Sequence, residues 1–317
     1  MSSSSTDERK LAKEIPGHIR IYDDGTVERL RDTDVVPPSI DAGPGGVSTK
    51  DVVYLPELNL SARLYLPQPA GNRKLPLVIY FHGGGFCVAS AFCAKYHRYV
   101  YRMAAEAQAV VVSFDYRLAP EHPIPAAYED SRAALRWAAS HRAGNGPEPW
   151  LNDHADFDRA FLAGDSAGGN IVHNLAVGKL EFGLLGLALV QPFFWGTEPI
   201  GSELDFPDAM AKAVASRVWP FISPSSPDND DPRINPVAPD GPGLVGLGCK
   251  RVLVCVGEKD VLKDRGWLYY DTLRKCGWMG VVEIHEIEGK GHGFHLYELE
   301  SEKAGALIKR LATFFNS

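Results

Sequence analysis

The sequence predicts an α/β fold built on a mostly parallel central sheet, and three observations predict it. From about residue 75 onward, short β-branched or apolar runs alternate with helical patterns. Most of those runs are largely apolar, which is how strands read when helices cover both faces of the sheet. At 317 residues the chain is roughly twice a common domain, long enough for one large core and an accessory lid or second lobe.

The elements follow in order. Before residue 75, His18 to Leu30 and Val52 to Leu66 read as two-stranded segments turning at Asp24-Gly25 and near Glu57-Leu58-Asn59, an antiparallel prelude to the parallel sheet. Six strands are then expected at Leu77 to Phe81, Val110 to Phe114, Ala160 to Ala163, Leu187 to Val190, Val252 to Val256 and Val281 to His285. Helices are expected at Tyr96 to Gln108, Ala126 to Ser140, Gly168 to Lys179, Lys263 to Cys276 and Ser301 to Phe315. Residues 196 to 248 interrupt the alternation with an amphipathic helix, Pro207 to Trp219, and a Pro/Asp/Gly-rich connection longer than an ordinary loop. We therefore expect a single domain over 1–317, with cap contributions from about 1–50 and about 196–248.

Composition narrows the function. Forty acidic against thirty-three basic side chains give a net charge of −7, which disfavours a nucleic-acid or anionic-membrane partner. The five cysteines include no CxxC pair, so neither a disulfide framework nor a zinc site is expected. Residues 1–10 lack the apolar core of a signal peptide and read as a flexible cytosolic tail, so the expected location is cytoplasmic. The longest apolar run, Leu184 to Trp195, is too short to cross a bilayer and carries Gly186 and Pro192. Asn59-Leu60-Ser61 fits a glycosylation sequon that the cytosolic reading makes coincidental.

Gly164-Asp165-Ser166-Ala167-Gly168 matches G-x-S-x-G between an expected strand and an expected helix. So tight a turn exposes the central serine and needs small neighbours, which Gly164, Ala167, Gly168 and Gly169 are. His82-Gly83-Gly84-Gly85-Phe86 follows another strand, and its glycines leave backbone N–H groups uncovered for an anion. A phosphate-binding P-loop would need a Gly-Lys-Ser/Thr ending, absent there. A serine nucleophile requires a histidine base and an orienting carboxylate. Asp260 and His292 each follow a late strand and complete the order Ser, Asp, His. Their rivals are Glu258 and Asp264 beside Asp260, and His285 and His295 beside His292. Gly241 to Gly246 satisfies GxGxxG but precedes a strand instead of opening a helix, so it reads as a connector. His292-x-x-His295 has no HExxH companion, so no metal is expected.

The set His82-Gly83-Gly84-Gly85, Asp115-Tyr116-Arg117-Leu118-Ala119-Pro120-Glu121-His122, Gly164-Asp165-Ser166-Ala167-Gly168-Gly169-Asn170 and Gly291-His292-Gly293-Phe294, with Asp24-Gly25-Thr26-Val27-Glu28-Arg29 near the start, resembles the plant carboxylesterases of the hormone-sensitive-lipase type. That resemblance covers nearly the whole chain. It implies an α/β-hydrolase fold with a cap from the N-terminal segment and an insertion, and no cofactor. Ser166 would be the nucleophile, His292 the base and Asp260 its orienter, with oxyanion donors from Ala167 and two among Gly83, Gly84 and Gly85. The implied activity is hydrolysis of small uncharged carboxylic esters through an acyl-enzyme. Relatives supply two alternatives: a lyase of the 2-hydroxyisoflavanone dehydratase or alkaloid cyclase kind, and a gibberellin-type receptor, whose aliphatic residue replaces the histidine that this chain keeps at 292. Phe193, Phe194, Trp195, Val218, Trp219 and Phe221 are candidate pocket residues.

Overall fold

The computed structural model describes residues 9–42, 46–68, 74–178 and 180–317. Residues 1–8 of the expected tail, residues 43–45 of the expected cap and Lys179 at the end of one expected helix lie outside the described residues. Along the chain, β1 (Leu11–Ile15), β2 (Ile19–Tyr22) and β3 (Val27–Arg29) precede β4 (Val47–Leu55), β5 (Leu60–Pro67) and β6 (Leu75–Phe81). Then come α1 (Ala94–Ala107), β7 (Val110–Phe114), α2 (Ala126–Ala139), α3 (Pro149–His154), β8 (Ala155–Asp165), α4 (Ala167–Val177) and β9 (Leu184–Val190). The chain closes with α5 (Ala209–Ile222), β10 (Cys249–Gly257), α6 (Lys263–Lys275), β11 (Val281–Ile287), α7 (Phe294–Tyr297) and α8 (Glu302–Phe315).

Eight strands form the main sheet in the order β11-β10-β9-β8-β6-β7-β5-β4. The six from β6 to β11 run parallel, and β5 is antiparallel to both β7 and β4. The period-2 geometry of a strand divides its side chains between two cores. On β6, Leu77, Ile79 and Phe81 enter the core covered by α2, α4 and α6, while Val78 and Tyr80 enter the one covered by α1 and α8. Val252, Val254 and Val256 of β10 join the first, Leu253 and Cys255 the second. This two-sided burial is why the inner parallel strands read as largely apolar runs, each fully buried Leu, Ile or Val contributing about 1.5–3 kcal/mol, whereas the edge strand β11 is mostly part-buried and carries Glu283, His285 and Glu286.

The expected prelude divides in two. The second hairpin, β4 and β5, joins the main sheet, whereas β2 and β3 pair with β1 into a separate three-stranded sheet. Strand β1 escaped the sequence because its middle, Lys13-Glu14, is charged and exposed to part-buried. The parallel strands all point their C-terminal ends the same way, so the loops after β6, β8, β10 and β11 converge, the usual place for a site in a sheet of this kind.

Candidate active site

Each expected site residue sits on one of those converging loops. Ser166 joins β8 to α4 with φ 51° and ψ −116°, a left-handed conformation held by its N–H donating to the Val190 carbonyl at 2.9 Å and its carbonyl accepting from Phe193 at 2.8 Å. The turn closes only without side chains. A Cβ at Gly168 would fall on the Phe81 carbonyl oxygen, and one at Gly164 would stand 2.5 Å from the Gly168 backbone.

Ser166, His292 and Asp260 are brought together. His292 Nε2 lies 3.0 Å from Ser166 Oγ, and His292 Nδ1 lies 2.8 Å from Asp260 Oδ2. Asp260 is buried, and its other oxygen accepts from the Leu262 amide at 3.0 Å. The imidazole keeps 39% of its side-chain surface exposed toward the pocket. Burial disfavours its charged form, but the charge and hydrogen bond of Asp260, and Asp165 behind it, outweigh this and raise its pKa above 6.5; Arg31 acts in the opposite sense. The rivals are engaged elsewhere. Glu258 accepts from the Gly289 amide at 2.6 Å and Asp264 from the Ser202 amide and hydroxyl at 2.6 Å. His285 lies within β11, and His295 is buried against Tyr99.

The three glycines after β6 do not play equal parts. The Gly83 N–H donates to Tyr96 Oη at 2.8 Å and Asp165 Oδ1 at 3.1 Å, so it is turned away from the pocket. Gly84 and Gly85 line the pocket with φ of 105° and 60°, and among the described residues neither amide donates to a protein acceptor. A Cβ at Gly84 would collide with the Val88 carbonyl oxygen. Ala167 opens α4, where the helix N-terminus leaves its amide without an intrahelical acceptor. Three amides, those of Gly84, Gly85 and Ala167, are thus available beside Ser166 Oγ.

Residues to which the sequence assigned no role hold this geometry. Asp165 accepts from Tyr80 Oη at 2.6 Å and Tyr96 Oη at 2.7 Å as well as from Gly83, tying the glycine loop to the serine turn. Burial, reinforced by the Asp165 charge, pushes both phenols well above their ordinary range, so they remain donors. Tyr116 Oη donates to the His82 carbonyl at 2.8 Å, and the Ala119 amide to the Phe86 carbonyl at 2.9 Å. Arg117 anchors that strap by a forked bond to Asp130 at 2.8–3.1 Å. Gln191 brackets His292: its Nε2 donates to the Gly291 carbonyl at 2.9 Å and its Oε1 accepts from the Gly293 amide at 2.8 Å. A single glutamine after a strand carries no pattern that a sequence search would notice.

A cavity of about 390 Å³ opens above Ser166. Its apolar wall comes from Phe193, Val214, Val218, Val261 and Leu262, and its rim from Pro16, Gly17, His18 and Arg31 of the N-terminal segment. Of the six expected pocket residues, only Phe193 and Val218 line it. Phe194 stacks on Tyr269 with centroids 5.1 Å apart, Trp195 and Trp219 are buried in the core, and Phe221 packs against it. Only Trp219 and Phe221 lie on a helix, α5, while Phe194 and Trp195 lie in the segment after β9.

A family profile described as alpha/beta hydrolase fold matches residues 78–296, which span β6 to α7 and every loop that carries the site. The chain belongs to the alpha/beta hydrolase family. Within it, the chain is 46% identical over 323 residues to probable carboxylesterase 13 of Arabidopsis thaliana, covering 96% of this chain and 98% of that protein. It is 44% identical over 325 residues to the 2-hydroxyisoflavanone dehydratase of Glycyrrhiza echinata, covering 99% and 98%. Among solved alpha/beta hydrolases, a thermostable carboxylesterase cloned from a metagenomic library superposes with a TM-score of 0.72 at 27% identity, covering 88% of this chain and 90% of that one. The hyperthermophilic esterase of Pyrobaculum calidifontis superposes with a TM-score of 0.70 at 28% identity, covering 84% of each. Among the described residues, no helix is long and apolar enough to cross a membrane, and no group of three or more His, Cys, Asp or Glu side chains could hold a metal.

Proposed function

We propose that this protein is a serine carboxylesterase that works through an acyl-enzyme. The observation that carries the reading is the unbroken chain from Asp260 through His292 to Ser166 Oγ, at 2.8 and 3.0 Å, beside free amides at the mouth of a cavity. His292 Nε2 takes the Ser166 proton as Oγ attacks the ester carbonyl. The oxygen of the tetrahedral intermediate accepts from Gly84, Gly85 and Ala167; donors of this kind are each worth roughly 2.7–4 kcal/mol of barrier. His292 then protonates the leaving alcohol. In the second half, it deprotonates a water that attacks the acyl group, and returns the proton to Ser166 as the acid departs. Asp260 holds the imidazole in the tautomer that presents bare Nε2 to the serine and stabilises the imidazolium between steps.

The carboxylesterases among the relatives support this reading, and the apolar wall of Phe193, Val214 and Val218 favours a small uncharged acyl group. The N-terminal segment and the region of α5 act as the cap, since both contribute to the cavity. A cytosolic setting agrees with five free cysteines. The dehydratase relative favours one alternative, in which His292 removes a proton beside a carbonyl held by the same amides and Ser166 is not acylated.

The test is Ser166→Ala assayed on a short-chain p-nitrophenyl ester. The esterase reading expects kcat to fall by roughly 10⁴-fold or more. Near wild-type turnover would sink it, and loss of water from a hydroxyisoflavanone by the variant would favour the lyase.

A further inference from the structure

One positive charge stands at the pocket without full compensation. Arg31 follows β3, lines the cavity and keeps 34% of its side-chain surface exposed. Its Nε donates to Asp32 Oδ2 at 3.0 Å, and among the described residues neither terminal nitrogen donates to a protein acceptor. That same carboxylate oxygen also accepts from Lys95 Nζ at 2.8 Å. Two cations therefore share one carboxylate, and the surplus faces the cavity. Among the described residues, the carboxylates on the cavity lining are Asp165, buried beneath and occupied by tyrosines, and Asp208 on the α5 wall, whose Oδ1 caps the amides of Met210 and Ala211 at 3.0 Å.

The side of the site is fixed by chemistry. His292 must hand its proton to the leaving oxygen, so the alcohol portion of an ester departs on the imidazole's side of the tetrahedral carbon. Arg31 lines the same cavity as that imidazole. Its guanidinium lies 5.6 Å from the centroid of the Tyr297 ring, five residues beyond His292, and its charge acts on the His292 imidazole. His18, whose Nδ1 is held by the Pro16 carbonyl at 2.9 Å, borders the same rim. The acyl side is the apolar one, where Val218 packs 3.5 Å from the position a Gly85 Cβ would take. A guanidinium with two free terminal nitrogens is a fork matched to a carboxylate.

We propose that Arg31 forms a leaving-group subsite for esters whose alcohol or phenol part bears a carboxylate, while the acyl part stays small and uncharged. This rests on the esterase reading and extends it at the alcohol end. The experiment compares 4-acetoxybenzoate with 4-acetoxybenzamide, esters with one acyl group and leaving groups that differ in charge. In the wild type at low ionic strength, the ratio of kcat/KM for the anion over the amide is expected to fall about tenfold or more on Arg31→Gln, to recover in part with Arg31→Lys, and to decline with added salt. A ratio that Arg31→Gln leaves within twofold overturns the subsite. Should that variant fail to fold, calorimetric binding of 4-hydroxybenzoate and 4-hydroxybenzamide to the wild-type protein decides. Tighter, salt-sensitive binding of the anion supports the subsite, and equal binding overturns it. Wild-type protein that hydrolyses neither ester contradicts the esterase reading instead, and the binding measurement still judges the subsite.

Discussion

Ser166 occupies a backbone conformation that costs an L-residue about 1–3 kcal/mol, and the surrounding turn holds it there through Val190, Phe193 and two glycines that cannot carry a Cβ. That requirement is why G-x-S-x-G was legible: the strain writes itself into residue types at fixed spacing. Asp260 and His292 were legible by position after strands, whereas Gln191 and the Asp165–tyrosine bonds were not, because a hydrogen bond between residues far apart in sequence leaves no local pattern. The three glycines after β6 read as equivalent donors, and only the Tyr96 and Asp165 bonds to the Gly83 amide separate them. The electrostatics of His292 carry a prediction. Its raised pKa keeps the imidazolium to higher pH, and only the neutral ring can accept the serine proton. The acid limb of kcat/KM against pH is therefore expected with a midpoint above the ordinary histidine value of 6.5. Asp260→Asn, which removes both the charge and the carboxylate acceptor, should move that midpoint down and lower kcat by about 10⁴-fold. A pH–rate series on both proteins checks it; an unmoved midpoint would place the titrating group elsewhere.

The elements around the site are joined by a few long-range polar bonds. Arg29, at the end of β3, forks onto Glu121 at 2.9 and 2.7 Å and donates to the carbonyls of Cys87 and Ala119 at 2.9 and 3.2 Å. It pins the small N-terminal sheet over the glycine loop. Arg29→Ala leaves two buried carbonyls without that donor, so it should cost about 1–2 kcal/mol and lower Tm by several degrees. Because the rim residues Gly17, His18 and Arg31 ride on this sheet, KM should rise more than kcat falls. Thermal melts and steady-state kinetics read both, and an unchanged melt would show the latch to be idle. At this scale the parallel strands were legible from apolar runs, with β7 at the expected bounds and β8 longer than expected by several residues at its polar start, Ala155-Asp156-Phe157-Asp158-Arg159. Strand β1, α3 of six residues and α7 of four carry too little periodic pattern to be read.

Over the described residues, burial disfavours the charged form of several histidines, His173 and His295 among them. Desolvation lowers His173, packed between Phe194 and Tyr269, to about 3, and His295, beside Tyr99, to about 4. An unfolded chain protonates both near 6.5. Their contribution to stability is thus complete above that pH and is lost as the solution is acidified toward the folded values, because the unfolded state binds the extra protons. Between pH 7 and pH 5 each costs about 2 kcal/mol. His173→Gln is expected to shrink the difference in denaturant stability between those two pH values by about that amount, and an undiminished difference would contradict the assignment. The same acidic composition that disfavoured nucleic acid left the reaction to be read from the site alone, and the central claim stands on Ser166. The most direct measurement is mass spectrometry of the protein after reaction with an organophosphonate ester probe. One adduct per chain, located on Ser166 and accompanied by loss of esterase turnover, is the predicted result; an adduct on another serine, or full turnover with Ser166 modified, contradicts it.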